Sequence, residues 1–195
     1  MKEAVSLTTF VDFVCRAGTP KATVVRQWKR RQDYNVARDY YKVLRDAIVD
    51  HHRKGTAMPM PSTTPKNKRE NYRIITRGHR KWVGRKALRW FNPATDVWTS
   101  GQLNVNINPE LGLRINGVPH LVKLYFKADK LSKNRVDIVT HLMSAVLSSA
   151  APPHCVMGVL DLRNGKLFTA AGPIPGLDAQ LGAEAAYWNA LWSHI

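Results

Sequence analysis

Apolar positions along the chain follow two different rhythms. In the first 54 residues they recur at steps of three and four. Leu7, Phe10, Val11 and Val14 share one side of a helix that Gly18 stops. Thr19-Pro20 reads as an N-cap followed by proline in the first turn, and from Lys21 to Arg31 the apolar side holds Val24, Val25 and Trp28. A third helix is expected over 36–53, with Ala37, Tyr40, Tyr41, Leu44, Ala47, Ile48 and His51 as its stripe. It ends in His51, His52, Arg53 and Lys54, which suit the negative end of the helix dipole, and Gly55 stops it.

From residue 103 the period becomes two. Leu103, Val105 and Ile107 alternate with asparagines, and Leu111, Leu113 and Ile115 alternate again. Asn116-Gly117 is a tight-turn pair, so a hairpin returns through Val122, Leu124 and Phe126 on one face and Leu121, Lys123, Tyr125 and Lys127 on the other. A helix over 132–148 follows, with Val136, Val139, Leu142, Met143, Val146 and Leu147 inward. The apolar run 155–162 turns at Asn164-Gly165 into a second hairpin, and the tail forms a terminal helix docking Tyr187, Leu191 and Trp188. Between the two regimes, 55–68 holds three prolines and a Ser/Thr run and reads as a linker; within 69–98, ENYRIITR fits a short strand or helix and RKWVGRKALRWF a short helix interrupted at Gly84.

The predicted class is α+β: an N-terminal helical bundle, then a mixed sheet built from two hairpins with helices packed on it. The expected division is a basic helical region at 1–54, a linker at 55–68 and an α+β domain at 69–195, entered through a basic, aromatic segment at 69–98. Neither a secretory h-region nor a run of 18 apolar residues is present, and Cys15 and Cys155 are too few and too far apart for a cysteine metal site. The expectation is an intracellular, cytoplasmic protein with two reduced thiols and no membrane attachment.

Charge sharpens this picture. The chain carries 30 Lys and Arg against 14 Asp and Glu, a formal net charge of +16. Residues 1–90 hold 22 of those cations against 7 acids, while residues 91–195 are nearly balanced, 8 against 7. Residues 66–89 contain 10 cations and one acid, Glu70, and so cannot neutralise themselves. A polyanion is the first partner to test, and DNA or RNA is the expected one. The candidate contacts in the basic stretch are Arg73, Arg77, Arg80, Lys81, Arg85, Lys86 and Arg89. Tyr72, His79, Trp82 and Trp90 lie among them and would stack bases if exposed, although Trp in such a pattern is more often core. A second basic group, Lys21, Arg26, Lys29, Arg30 and Arg31, could lie across a phosphate backbone or, in a helix-turn-helix, enter a groove; it could also be a solvated bundle face. The same basic surface would also serve an assembly protein with an acidic protein partner.

Catalysis has thinner support. No Walker A, G-x-G-x-x-G, G-x-S-x-G or HExxH pattern occurs. A nuclease would need carboxylates close enough to hold Mg²⁺, and Glu110, Asp129, Asp137 and Asp161 are the candidates in the sheet half. Asp129 equally suits a helix cap and Asp161 a turn. Across 103–170, the order NPELGLRINGVPHLVKLYFKADKLSKNRVDIVTHLM and then VMGVLDL resembles the core of the PD-(D/E)XK nuclease superfamily: a hairpin carrying Asp and then Glu-x-Lys, followed by a helix and a strand. The resemblance implies a nuclease-like scaffold. Its motif residues depart from the family, with Asn116 where the hairpin Asp falls and Lys123-Leu124-Tyr125 where the acid-x-Lys falls. Glu110 is the one acid placed like the family's earlier carboxylate. The scaffold would then have lost or rebuilt its Mg²⁺ site, with Glu110 and Asp161 as the remaining catalytic candidates; otherwise no cofactor is expected.

Overall fold

A computed structural model describes residues 4–30, 40–58 and 66–195. The α+β class holds: helices pack on a mixed five-stranded sheet, with a three-stranded sheet beside it. The large sheet has the order β2 (Leu88–Phe91), β5 (Leu111–Ile115), β6 (Val118–Tyr125), β7 (Val156–Asp161), β8 (Lys166–Thr169). Only the β6–β7 pair is parallel, and α5 (Lys133–Leu147) makes that crossover. The small sheet has the order β1 (Val5–Ser6), β4 (Leu103–Ile107), β3 (Asp96–Ser100). The chain passes from the small sheet to the large one at Asn108-Pro109-Glu110.

Local rules explain most elements. Asn116 and Gly117 both take positive φ, 50° and 92°, so the β5–β6 turn has the twist that a two-residue hairpin needs. The Ser132 side chain accepts from Arg135 N and caps α5; Asp129, the sequence candidate for that cap, instead offers its backbone oxygen to the Tyr125 hydroxyl. α1 (Leu7–Val14) buries all four of its expected residues. In α2 (Pro20–Lys29) Thr19 precedes the proline as expected, but its side chain makes no capping bond. α3 (Lys42–Lys54) stops at Gly55, whose φ of 67° is left-handed; the expected start of this helix at 36–39 lies outside the described residues. In α6 (Leu177–His194) the docking residue is Trp188, fully buried with its ring 5.0 Å from Phe13, while Tyr187 is exposed.

The principal surprise is α4 (Lys66–Val83), one 18-residue helix that begins inside the expected linker and ends at Gly84. Leu88–Phe91, expected as the end of a short helix interrupted at Gly84, is instead a sheet edge, where Leu88 and Trp90 pack inward. Residues 59–65 lie outside the described residues.

Alternation divides the core. Leu121 and Tyr125 of β6 and Val159 of β7 face one cluster with α1, α2, α5 and α6. Val122, Leu124 and Leu160 face the other, with Leu44 and Ile48 of α3 and Tyr72, Ile75 and Trp82 of α4. The expected N-terminal bundle is therefore not one bundle: α1 and α2 pack on one face of the large sheet, α3 and α4 on the opposite face. Within residues 1–54, β1 pairs with β4 and α3 packs on β2.

Candidate nucleic-acid interface

α4 is amphipathic. Tyr72, Ile75, Thr76, His79 and Trp82, at steps of three and one, are buried. Arg69, Arg73, Arg77 and Arg80, at steps of four, four and three, form the exposed side, with Lys81 beside them and Glu70 as the helix's one acid. Helix geometry alone therefore gathers these cations on a single exterior face. Arg73, Arg77, Arg80, Lys81, Arg85 and Arg89 are exposed and make no ion pair among the described residues. Lys86 turns back: its ammonium donates to the Trp82 carbonyl and lies over that ring, 5.8 Å from the centroid. Arg89 stands on edge strand β2 directly opposite Arg114, and both are exposed. Two like charges facing each other across a ladder are unfavourable without an anion nearby.

A close backbone contact fixes α4. A Cβ on Gly78 would stand 1.9 Å from the Leu162 carbonyl oxygen, and one on Gly165 would stand 2.4 Å from the Gly78 oxygen. The helix thus meets the β7–β8 turn backbone to backbone. Arg163 of that turn donates to Asn71 Oδ1 at 3.1 Å.

The second basic group is not part of this face. Lys21 is buried and paired with Glu184 of α6, so the structure removes it from the phosphate candidates. The signal was legible: Lys21 continues the spacing of Val24, Val25 and Trp28, and so sits on the inward side. Lys29 donates to the Trp192 and Ile195 carbonyls at 2.9 and 3.0 Å. Arg26 and Arg30 are exposed, and Arg31 lies outside the described residues. Because α2 packs beside α6, on the far side of the large sheet from α4, the two groups do not make one patch. Trp82 also leaves the list of contact residues, since only 3% of it is exposed.

The carboxylates of the sheet are already engaged. Glu110 accepts from Lys123 Nζ at 2.8 Å and from Leu124 N at 2.8 Å; Lys123 also donates to the Asn108 carbonyl at 2.9 Å. Asp161 accepts from Arg163 N, Asn164 N and Asn164 Nδ2 at 3.0, 3.1 and 2.7 Å, which is a turn-building role. Lys123 and Asp161 have the parity of Leu121 and Val159, so they point to the face opposite α4. Among the described residues no group of three or more His, Cys, Asp or Glu is arranged to hold a metal ion. Cys15 and Cys155 are half-buried free thiols, each with its pKa raised by burial.

Three imidazoles join α3 to α4. His52 Nε2 and His79 Nε2 are 2.8 Å apart, and the rings of His51 and His52 lie 5.6 and 5.0 Å from that of His79. Burial, then the neighbouring His51, lowers the pKa of His52 to about 4; burial, then His52, His51 and Arg80, lowers that of His79 to about 3. Both rings are neutral at pH 7. His79 Nδ1 is buried with no partner among the described residues, which favours His79 as the Nε2–H donor: the orphan is then only an unused lone pair. Because the folded pKa values lie below the unfolded 6.5, the unfolded chain gains protons first as pH falls. Stability is unaffected above pH 6.5 and falls below it, by roughly 2–4 kcal/mol by pH 5. Urea midpoints between pH 7.5 and 5 are expected to show this decline, with a smaller one in His52→Gln; a flat wild-type profile would contradict the assignment.

Among the described residues no helix is long and apolar enough to cross a membrane. Compared with known family models, curated proteins and solved structures, the chain matches none.

Proposed function

We propose that this protein binds nucleic acid through its phosphates, and that the outward face of α4 is the grip. One observation carries the reading: Arg73, Arg77, Arg80 and Lys81 share one exposed helix face and no carboxylate among the described residues neutralises them. A field of one sign on a rigid element attracts a polyanion and orders it. An acidic protein partner would meet the same charges, but stable protein interfaces also need an apolar centre. Among the described residues the exposed large hydrophobics are Val43, Val97, Val118 and Tyr187, none of them on α4.

A nuclease is the second reading. The succession β5–β6 hairpin, α5, β7 has the order of the PD-(D/E)XK core, which supports a nuclease-like scaffold. Against working chemistry stand the bonds of its acids: Lys123 neutralises Glu110, and Asp161 builds its turn. These bonds favour binding over catalysis.

Phosphate binding is a salt-dependent equilibrium. With about five phosphate contacts, the affinity of the wild-type protein for DNA is expected to fall several hundred-fold between about 50 and 200 mM salt, on a log–log slope of about −4 to −5. Fluorescence polarisation across that range measures it, and a slope near zero would refute the proposal.

A further inference from the structure

The phosphate reading, on which this inference rests, does not by itself distinguish a single strand from a double helix. The burial of the aromatic side chains does. Proteins that hold single strands combine cations with exposed rings on which bases stack. Here the rings that share α4 with the cations are turned inward: Tyr72 is 2% exposed, His79 0% and Trp82 3%. Each is held there by partners. The Tyr72 hydroxyl donates to the Tyr40 carbonyl at 2.9 Å, His79 meets His52, and Trp82 lies under the Lys86 ammonium. Trp90, on the adjoining strand, packs against the same core and donates its Nε1 to Asn92 at 3.2 Å. Among the described residues Tyr187 is the one aromatic residue of the exposed large hydrophobics, and it lies on α6, across the large sheet from α4.

We infer that the ligand is double-helical nucleic acid, held along its backbone by α4 without base stacking. Length agrees with charge in this. From Arg73 to Lys81 the helix axis advances about 12 Å, close to the roughly 12 Å width of a major groove. Cations at the two ends of the row can therefore reach phosphates on both rims of a groove, whereas a single strand offers only one rail. A duplex also returns more counterion free energy per neutralised phosphate, with a salt slope of about 0.9 per contact against about 0.7 for a single strand.

The test is a competition assay with the full chain. A fluorescent DNA duplex of about 20 base pairs is displaced by unlabelled duplex DNA, duplex RNA or mixed-sequence single strands of equal length, all at about 100 mM salt. Either or both duplexes are expected to compete at least tenfold better than the single strands, counted per phosphate. Intrinsic Trp emission is expected to stay within a few per cent on saturation, because no indole on α4 can meet a base. Single strands that compete as well as the duplexes, or strong Trp quenching by them, would overturn the double-helix inference and leave phosphate binding standing. Failure of every nucleic acid to bind would instead remove the phosphate reading beneath it.

Discussion

Gly78→Ala is expected to destabilise the protein by about 3 kcal/mol or more, enough to leave much of a marginally stable domain unfolded. Helix propensity predicts the opposite sign. Glycine inside a helix is less favourable than alanine by about 1 kcal/mol, so the same change in an open helix is stabilising. The contact decides the sign. The new Cβ would stand 1.9 Å from the Leu162 carbonyl oxygen and 2.9 Å from that of Arg163, both backbone atoms of the β7–β8 turn. Neither can rotate aside, so α4 would have to lift off the sheet and lose the packing of Ile75, His79 and Trp82. Gly182→Ala in α6 is the control: nothing lies within 4 Å of its Cβ, and a gain of up to about 1 kcal/mol is expected there. Thermal melts of the two variants check this directly. An unchanged or raised Tm for Gly78→Ala would mean that α4 does not lie on the turn as described.

Replacing Arg73, Arg77 and Arg80 together by alanine is expected to weaken duplex binding by roughly a hundredfold or more near 100 mM salt and to flatten the salt slope by about 3. Stability should hardly change. The three side chains are exposed and unpaired among the described residues, and exposed sites without partners typically move stability by about 0.5 kcal/mol or less each. Alanine is also the better helix former, so any loss of affinity cannot be assigned to a frayed α4. Polarisation titrations with a parallel urea melt separate the two effects. A variant that binds like wild type would place the grip elsewhere.

The local elements were legible where one rule dominated. Alternation located Leu103–Ile107 and Leu111–Ile115, Asn116-Gly117 located the turn from the second of these into β6, and 132–148 bracketed α5 within a residue. α4 was obscured because Gly78 interrupts its pattern and a Pro/Ser/Thr run precedes it; the reason for that glycine lies 84 residues further on, at Leu162. β1 is two residues long, and β2 and β3 are edge strands with exposed positions, so none carries enough alternation to be read alone. The basic composition of the site was plain in the sequence. Its division between two faces was not, because the large sheet separates α2 from α4. Trp82 and His79 fall on the inward stripe of α4, a placement that becomes visible only once 66–83 is known to be a single helix.

Location of charge, rather than its amount, is predicted to set where the polyanion binds. The decisive comparison sets the Arg73, Arg77 and Arg80 triple variant against one with Arg16, Arg26 and Arg30 replaced by alanine. Both sets are exposed, and each replacement removes the same charge. Duplex affinity measured across the salt range is predicted to lose about 3 from its log–log slope in the α4 variant and less than about 1 in the other. Equal losses in the two variants would mean that net charge alone attracts the polymer, and that the face of α4 is not its binding site.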